Sequence, residues 1–195
     1  MSKNRLEAFS DGVLAIIITI MVLELKAPHG DSVAALRPLW PVLLSYVLSF
    51  IYVGIYWNNH HHMLHTCHQV TGGMLWANLH LLFWLSLIPF ATGWLGENQF
   101  AAGPSVLYGF VLWMAAIAYL ILQQTIIASE GDDSVLRRAV RADWKGKLSM
   151  LVYLVAMVTA FRWKWIALAL YIFVALLWLV PDRRIEHALT AHDGH

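Results

Sequence analysis

Two long stretches of the sequence contain no Asp, Glu, Lys or Arg: one runs from Pro38 to Gly96 and the other from Phe100 to Ser129. A soluble domain needs charged side chains on its surface, whereas the hydrocarbon core of a bilayer, about 30 Å thick, requires about 20 apolar residues per helix. The whole chain is 59% apolar, with a mean hydropathy of +0.61. These features predict an all-α, polytopic membrane protein that sits in a lipid bilayer.

Charged and turn-forming residues divide the apolar sequence into six predicted transmembrane helices within one domain, residues 1–195. The first uncharged stretch is too long for one helix, and the polar segment from His60 to Gly73 splits it into two. The charged segment from Glu130 to Lys147 is interpreted as an amphipathic or surface linker. The six predicted spans are residues 5–25, 38–62, 70–94, 101–128, 147–162 and 164–181.

An even number of spans places both termini on the same side of the membrane, and the distribution of basic residues indicates which side this is. Lys and Arg are enriched in cytoplasmic segments. The side that holds the termini carries Lys3, Arg5, Arg137, Arg138, Arg141, Lys145, Lys147, Arg183 and Arg184, and the other carries Lys26, Arg37, Arg162 and Lys164. We therefore predict a multi-pass protein of the cell (inner) membrane with both termini in the cytoplasm.

The first predicted helix has two different faces. At about 100° per residue, one direction collects small and aliphatic side chains with a single hydroxyl, while Asp11 points about 140° away from Ile16. This stripe consists of Gly12, Ile16, Thr19, Ile20 and Leu23. From helical geometry alone, the stripe also fits an ordinary lipid-facing or helix-packing surface.

The opposite face of this helix carries a carboxylate at a depth where ionisable groups must face protein or water. The second and third predicted helices supply polar partners for it, namely Trp57, His60, His61 and Asn78. Buried polar groups in lipid are tolerated when they are paired. We therefore expect a structural network of Asp11, histidine, Asn and Trp that joins the first three helices.

A histidine cluster from His60 to His68 permits other hypotheses. His61, His65 and His68 recur at helical spacing, and three imidazoles can form half of a zinc or copper site. The cluster has no carboxylate nearby in the sequence and lies where the chain leaves the membrane, so that titration near neutral pH is favoured over metal binding. The alternatives are a metal- or proton-coupled transporter, a haem- or metal-dependent membrane enzyme, and a scaffold that transports nothing.

Several function classes are excluded by motifs that the sequence lacks. It has no phosphate-binding glycine loop, nucleophile elbow or zinc-protease motif, and we therefore predict that it is not an enzyme. It also lacks the Thr-Val-Gly-Tyr-Gly filter of ordinary potassium channels. A formal net charge of +1 without a separate basic patch predicts no nucleic-acid partner.

The run Arg5-Leu6-Glu7-Ala8-Phe9-Ser10-Asp11 resembles the Arg-x-x-x-Phe-Ser-Asp signature of the transmembrane protein 175 family, which comprises the lysosomal potassium channel and its prokaryotic relatives. The segment Gly54-x-x-Trp57-x-Asn59-His60-His61 and the later residues Asn78 and Pro89-Phe90-x-Thr92 are similar to the family pattern in order and spacing. The resemblance covers roughly the first half of the chain.

This resemblance implies a single six-helix unit that assembles as a homotetramer and conducts K⁺ and other monovalent cations without a bound cofactor or metal. The family's hydrophobic constriction and polar layer map onto Ile16 and Thr19, with Ile20, Leu23 and Gly12 along the same pore-lining stripe. The family signature also implies a structural network of Arg5, Phe9, Ser10, Asp11, Trp57, His60, His61 and Asn78. Selectivity for K⁺ over Na⁺ is expected to be weak to moderate, because a carbonyl filter is absent.

Overall fold

The computed structural model describes residues 2–29, 31–131, 136–137 and 144–179, and this part of the chain is helical without strands. Among the described residues, seven α-helices follow one another, and a 3₁₀ helix, Val33–Leu39, leads into the second. The helices are α1 Lys3–Leu23, α2 Trp40–His65, α3 Gly72–Ser86, α4 Ile88–Glu97, α5 Ala102–Glu130, α6 Trp144–Ala160 and α7 Lys164–Leu179.

Four helical stretches of the described chain are long and apolar enough to cross a membrane, namely Lys3–Leu23, Val33–His65, Gly72–Glu97 and Ala102–Glu130. The two last predicted spans fall on α6, with 17 residues, and on α7, with 16. Within the described residues, both are shorter than the roughly 20 residues of a typical crossing, and each borders residues outside the described ranges. The end of the sixth predicted span, most of the charged linker and the basic residues near the C-terminus lie outside the described residues. The all-helical, multi-pass character predicted from the sequence is confirmed.

The third predicted span, residues 70–94, is not a single continuous helix in the structure. It consists of α3 and α4, which meet at Leu87. Pro89 occupies the first turn of α4. Proline lacks an N–H and its ring collides with the carbonyl four residues earlier, so the α3 ladder cannot continue past this point, whereas proline is tolerated in the first turn of a new helix.

The helices form one bundle in which α1 packs against α2, α3 and α4, while α5 contacts α3, α4, α6 and α7. Several hydroxyl groups inside this bundle form hydrogen bonds with one another or with backbone carbonyls. Thr92 Oγ1 lies 2.6 Å from Ser49 Oγ, and Ser49 Oγ lies 2.9 Å from the Tyr108 hydroxyl. Tyr52 donates to the carbonyl of Tyr171 at 2.6 Å. Since lipid offers no alternative partners, these bonds favour this particular packing of α2, α4, α5 and α7.

Gly96 sets the distance between α4 and the start of α2. A Cβ atom at this position would lie 2.7 Å from the Val42 Cα and 2.5 Å from Ser45 Oγ. We expect Gly96→Ala to destabilise the protein by about 1–3 kcal/mol, because the backbone of α2 would have to move. Thermal unfolding of the purified protein measures this loss. Gly103→Ala is the matched control, because its Cβ would meet only Trp94 at 3.7 Å. Equal melting temperatures for the two variants would contradict the prediction.

Candidate pore helix and its polar anchors

One face of α1 is packed inside the subunit and the other is not. Side chains at regular helical spacing are buried, namely Leu6, Ser10, Leu14, Ile17 and Met21. The stripe of Gly12, Ile16, Thr19, Ile20 and Leu23 is exposed. Ile16 is 58% exposed and Leu23 is 77% exposed, which are high fractions for large aliphatic side chains. The helical bundle of one chain therefore leaves the stripe available to lipid, to another copy of the chain or to a central pathway.

Thr19 provides the hydroxyl group of the exposed stripe, and the hydrogen of this group forms a hydrogen bond within the helix. Thr19 Oγ1 donates to the carbonyl oxygen of Ile16 at 2.9 Å. A threonine hydroxyl has one hydrogen and two lone pairs. Because the hydrogen points back along α1, the oxygen can offer its lone pairs to a cation in front of the stripe.

The buried face of α1 is joined to α2 and α3 by a continuous hydrogen-bonded chain. Asn78 Nδ2 donates to Ser10 Oγ at 3.0 Å, and Asn78 Oδ1 lies 2.7 Å from His60 Nε2. Since an amide oxygen only accepts, His60 Nε2 carries the proton. Ser10 in turn donates to the Leu6 carbonyl at 2.9 Å. All three side chains are buried, and one residue from each of three helices thus forms a single polar anchor.

Asp11 makes a separate contact near the surface of the subunit. Its Oδ1 accepts a hydrogen bond from Trp57 Nε1 at 3.0 Å. The ring of Trp57 stacks on His61 at a centroid distance of 6.2 Å. The expected network thus consists of a buried chain through Asn78 and a more exposed pair at Asp11. Arg5 and Phe9 are exposed on the subunit.

The histidine cluster differs from the expected arrangement on one helical face. The α2 helix ends at His65, so that His68 lies in the following loop, while the rings of His61 and His65 are 4.5 Å apart. Within the described ranges, no group of three or more His, Cys, Asp or Glu side chains could hold a metal ion. This geometry gives no support to a metal-coupled transporter.

Glu130 is a partner of this cluster that sequence reasoning missed. Its carboxylate accepts from the backbone N–H of His68 at 2.8 Å and lies 2.6 Å from His68 Nδ1. No carboxylate is near these histidines in the sequence, but α5 returns to this end of the bundle and brings Glu130 there. Lys3 also donates to the His65 carbonyl at 3.0 Å. These contacts tie the first turn of α1 and the end of α5 to the same loop.

Cys67 lies in this loop and is 2% exposed. Burial and the nearby Glu130 raise the pKa of its thiol. A buried, protonated thiol is a poor nucleophile, so that Cys67 has a packing role against Met74, 3.7 Å away.

Known proteins are similar in sequence to the part of this chain that contains the helices with these contacts. A sequence model of the family described as "Endosomal/lysosomal potassium channel TMEM175" matches residues 5–89, which hold α1, α2 and α3. Over 189 residues the chain is 57% identical to a potassium channel of Chryseobacterium sp. (strain P1-3), covering 97% of this chain and 98% of that protein. The chain belongs to the TMEM175 family. This is a family of ion channels and not of enzymes.

One more distant TMEM175 relative agrees in fold, and another is similar in sequence over part of its length. The crystal structure of a lysosomal potassium-selective channel TMEM175 homolog from Chamaesiphon minutus is 28% identical and superposes with a TM-score of 0.81, covering 92% of this chain and 97% of that one. The human protein is named an endosomal/lysosomal proton channel; it is 34% identical over 103 residues, which are 47% of this chain and 20% of the human one. The resemblance drawn from the motifs of α1, α2 and α3 is confirmed.

Proposed function

We propose that the protein is a potassium-permeable cation channel whose pore is lined by α1 from each of four subunits. The bacterial relative at 57% identity is named a potassium channel and aligns with almost the whole chain. The observation that carries the proposal is the exposed stripe on α1, which stays uncovered while the opposite face is packed. Four such stripes around one axis form a closed apolar path without a carbonyl filter.

The side chains of the stripe give this path two functions. Rings of Ile16 and Leu23, with Ile20 and Gly12 along the same face, hold the path shut by excluding water, and conduction requires the helices to tilt or rotate until water enters. The Thr19 oxygens replace part of the hydration shell of a passing ion. Such a ring replaces less of the shell than a carbonyl cage does, so discrimination of K⁺ from Na⁺ is weak to moderate.

The buried contacts of α1 serve this function as structural anchors. Ser10, Asn78 and His60 fix the rotation of α1 about its axis, and Asp11 with Trp57 fixes the same end nearer to the surface. A fixed rotation is what keeps the stripe pointing away from the core of its own subunit. The proposed setting is the cell (inner) membrane, crossed six times, with both termini in the cytoplasm.

A flux assay on purified protein in liposomes tests the proposal. We expect K⁺ flux to exceed Na⁺ flux severalfold, and Thr19→Val to bring the ratio close to one, since valine keeps the shape of threonine but removes the oxygen. Thr159→Val is the matched control, because Thr159 donates to the Ala156 carbonyl at 3.1 Å in the same way on α6. An unchanged ratio in Thr19→Val would remove Thr19 from the selective layer, and absence of K⁺ flux in the wild type would refute the channel.

A further inference from the structure

The 3₁₀ helix Val33–Leu39 is mostly apolar, but none of its residues is buried. Val33 is 85% exposed and Leu36 is 45% exposed. Leaving apolar side chains in water costs about 25 cal/mol for each Å² of their surface. These side chains therefore need an apolar environment that the helical bundle of one chain does not provide.

The helix has one aliphatic side. A 3₁₀ helix has three residues per turn, so that residues three positions apart lie on the same ridge. Val33, Leu36 and Leu39 form one such ridge, which we call the aliphatic ridge. Its exposure decreases toward α2, since Leu39 is half-buried. Arg37 is exposed on the adjacent ridge, together with Ala34. The helix thus presents an open aliphatic ridge beside one cation.

The length of α2 indicates where this helix lies relative to a bilayer. The stretch Val33–His65 is one helical segment of 33 residues, of which α2 contributes 26. The polar end of α2 surrounds His60, and about 20 residues separate it from Trp40, which is a distance of about 30 Å along the helix. The hydrocarbon core is also about 30 Å thick. With one boundary of the core near His60, the other falls near Trp40, and the 3₁₀ helix begins beyond it.

Aromatic side chains from other parts of the bundle mark the same level. The ring of Trp40 stacks on Trp165 at a centroid distance of 6.0 Å and lies 5.8 Å from the ring of Phe100. Lys164 Nζ donates to the Gln99 carbonyl at 3.1 Å and lies 5.1 Å from the centroid of the Trp165 ring. Tryptophan is enriched at membrane interfaces, where lysine extends its charge toward water. Trp40, which directly follows the 3₁₀ helix, therefore belongs to an interfacial layer.

We propose that the 3₁₀ helix lies on the lipid surface at this end of the bundle. The aliphatic ridge enters the boundary between headgroups and acyl chains, where apolar faces of surface helices lie about 5–10 Å deep, and Arg37 reaches the headgroups. Because residues 24–32 join this helix to the end of α1 at Leu23, the contact also anchors that end of α1 at the membrane surface. This interaction does not depend on the ion that the protein conducts or on where the pore lies.

Spin labels in liposomes test this placement. Val33→Cys and Leu36→Cys are labelled separately in the full-length protein, in which Cys67 can remain because its buried thiol reacts poorly. Electron paramagnetic resonance compares how often each label collides with oxygen, which concentrates in lipid, and with a water-soluble nickel chelate. We expect oxygen to exceed the chelate severalfold at both positions, as at Leu151→Cys on the exposed side of α6. Ser32→Cys should give the opposite ratio.

Two other results of this measurement would overturn the proposal. Labels that meet the nickel chelate as often as the label at Ser32 does would place the 3₁₀ helix in water. Immobile labels shielded from both reagents would show that a second copy of the chain covers the aliphatic ridge. The measurement requires no ion flux, so that its outcome is separate from that of the proposed channel function.

A charged substitution tests the orientation of the helix. With the label at Val33, Leu36→Glu should lower the ratio of oxygen to nickel collisions severalfold, because a carboxylate one turn away disfavours the apolar boundary. Ala34→Glu is the matched control, since Ala34 is exposed on the ridge that carries Arg37, and it should change the ratio little. An equal decrease in the two variants would refute the assignment of the aliphatic ridge to the lipid side.

Discussion

An Ile16→Asn variant is expected to conduct K⁺ about tenfold faster than the wild type or more. In the proposed tetramer, four isoleucines facing one axis exclude water, and four asparagines would hydrate the same constriction and remove the barrier that an ion meets there. A decrease of about 1.4 kcal/mol in that barrier is enough for a tenfold change in rate. Because Ile16 is 58% exposed on its subunit, the substitution leaves the core intact. Potassium flux into liposomes, normalised to the amount of reconstituted protein, measures the effect.

Val22→Asn is the control that locates the pore on α1. Val22 is also exposed on this helix, at 45%, but points about 120° away from Ile16. We expect its flux to equal that of the wild type. Unchanged flux in Ile16→Asn would contradict the assignment of the constriction. Increased flux in Val22→Asn alone would instead indicate that a different face of α1 lines the ion path.

Local periodicity explains how much of α1 the sequence could predict. Side chains at i, i+3, i+4 and i+7 share one face of a helix, so that the exposed stripe and the buried residues follow from counting along the chain. The lengths of the apolar stretches likewise indicate the positions of the helices. These properties depend on neighbours within a few residues, which is why a sequence alone can indicate them.

Contacts between distant segments could not be predicted in the same way. Glu130 reaches His68 across 62 positions of sequence, and no local pattern relates the two. The break between α3 and α4 did have a local signal in Pro89, but an uncharged stretch of sufficient length concealed it.

Asn78→Leu is expected to destabilise the protein more than any other single change in the polar anchors, by about 2 kcal/mol or more. Leucine keeps the approximate volume but leaves the His60 Nε2 proton without an acceptor, and an orphaned buried donor costs about 1–3 kcal/mol. Ser10 is affected less, since it still donates to the Leu6 carbonyl. Interhelical hydrogen bonds in membranes contribute only about 0.6 kcal/mol on average, so most of the loss comes from the orphaned histidine.

A double variant distinguishes this mechanism from simple loss of packing. His60→Leu combined with Asn78→Leu removes donor and acceptor together, and replacing both partners by apolar groups can be nearly neutral. We therefore expect the melting temperature, lowered by roughly 5 °C in Asn78→Leu, to recover by half or more in the double variant. Asp11→Ala, which removes the more exposed bond to Trp57, should lower it less than Asn78→Leu does. A double variant less stable than Asn78→Leu would mean that His60 is held by its packing, and that the buried chain does not fix the rotation of α1.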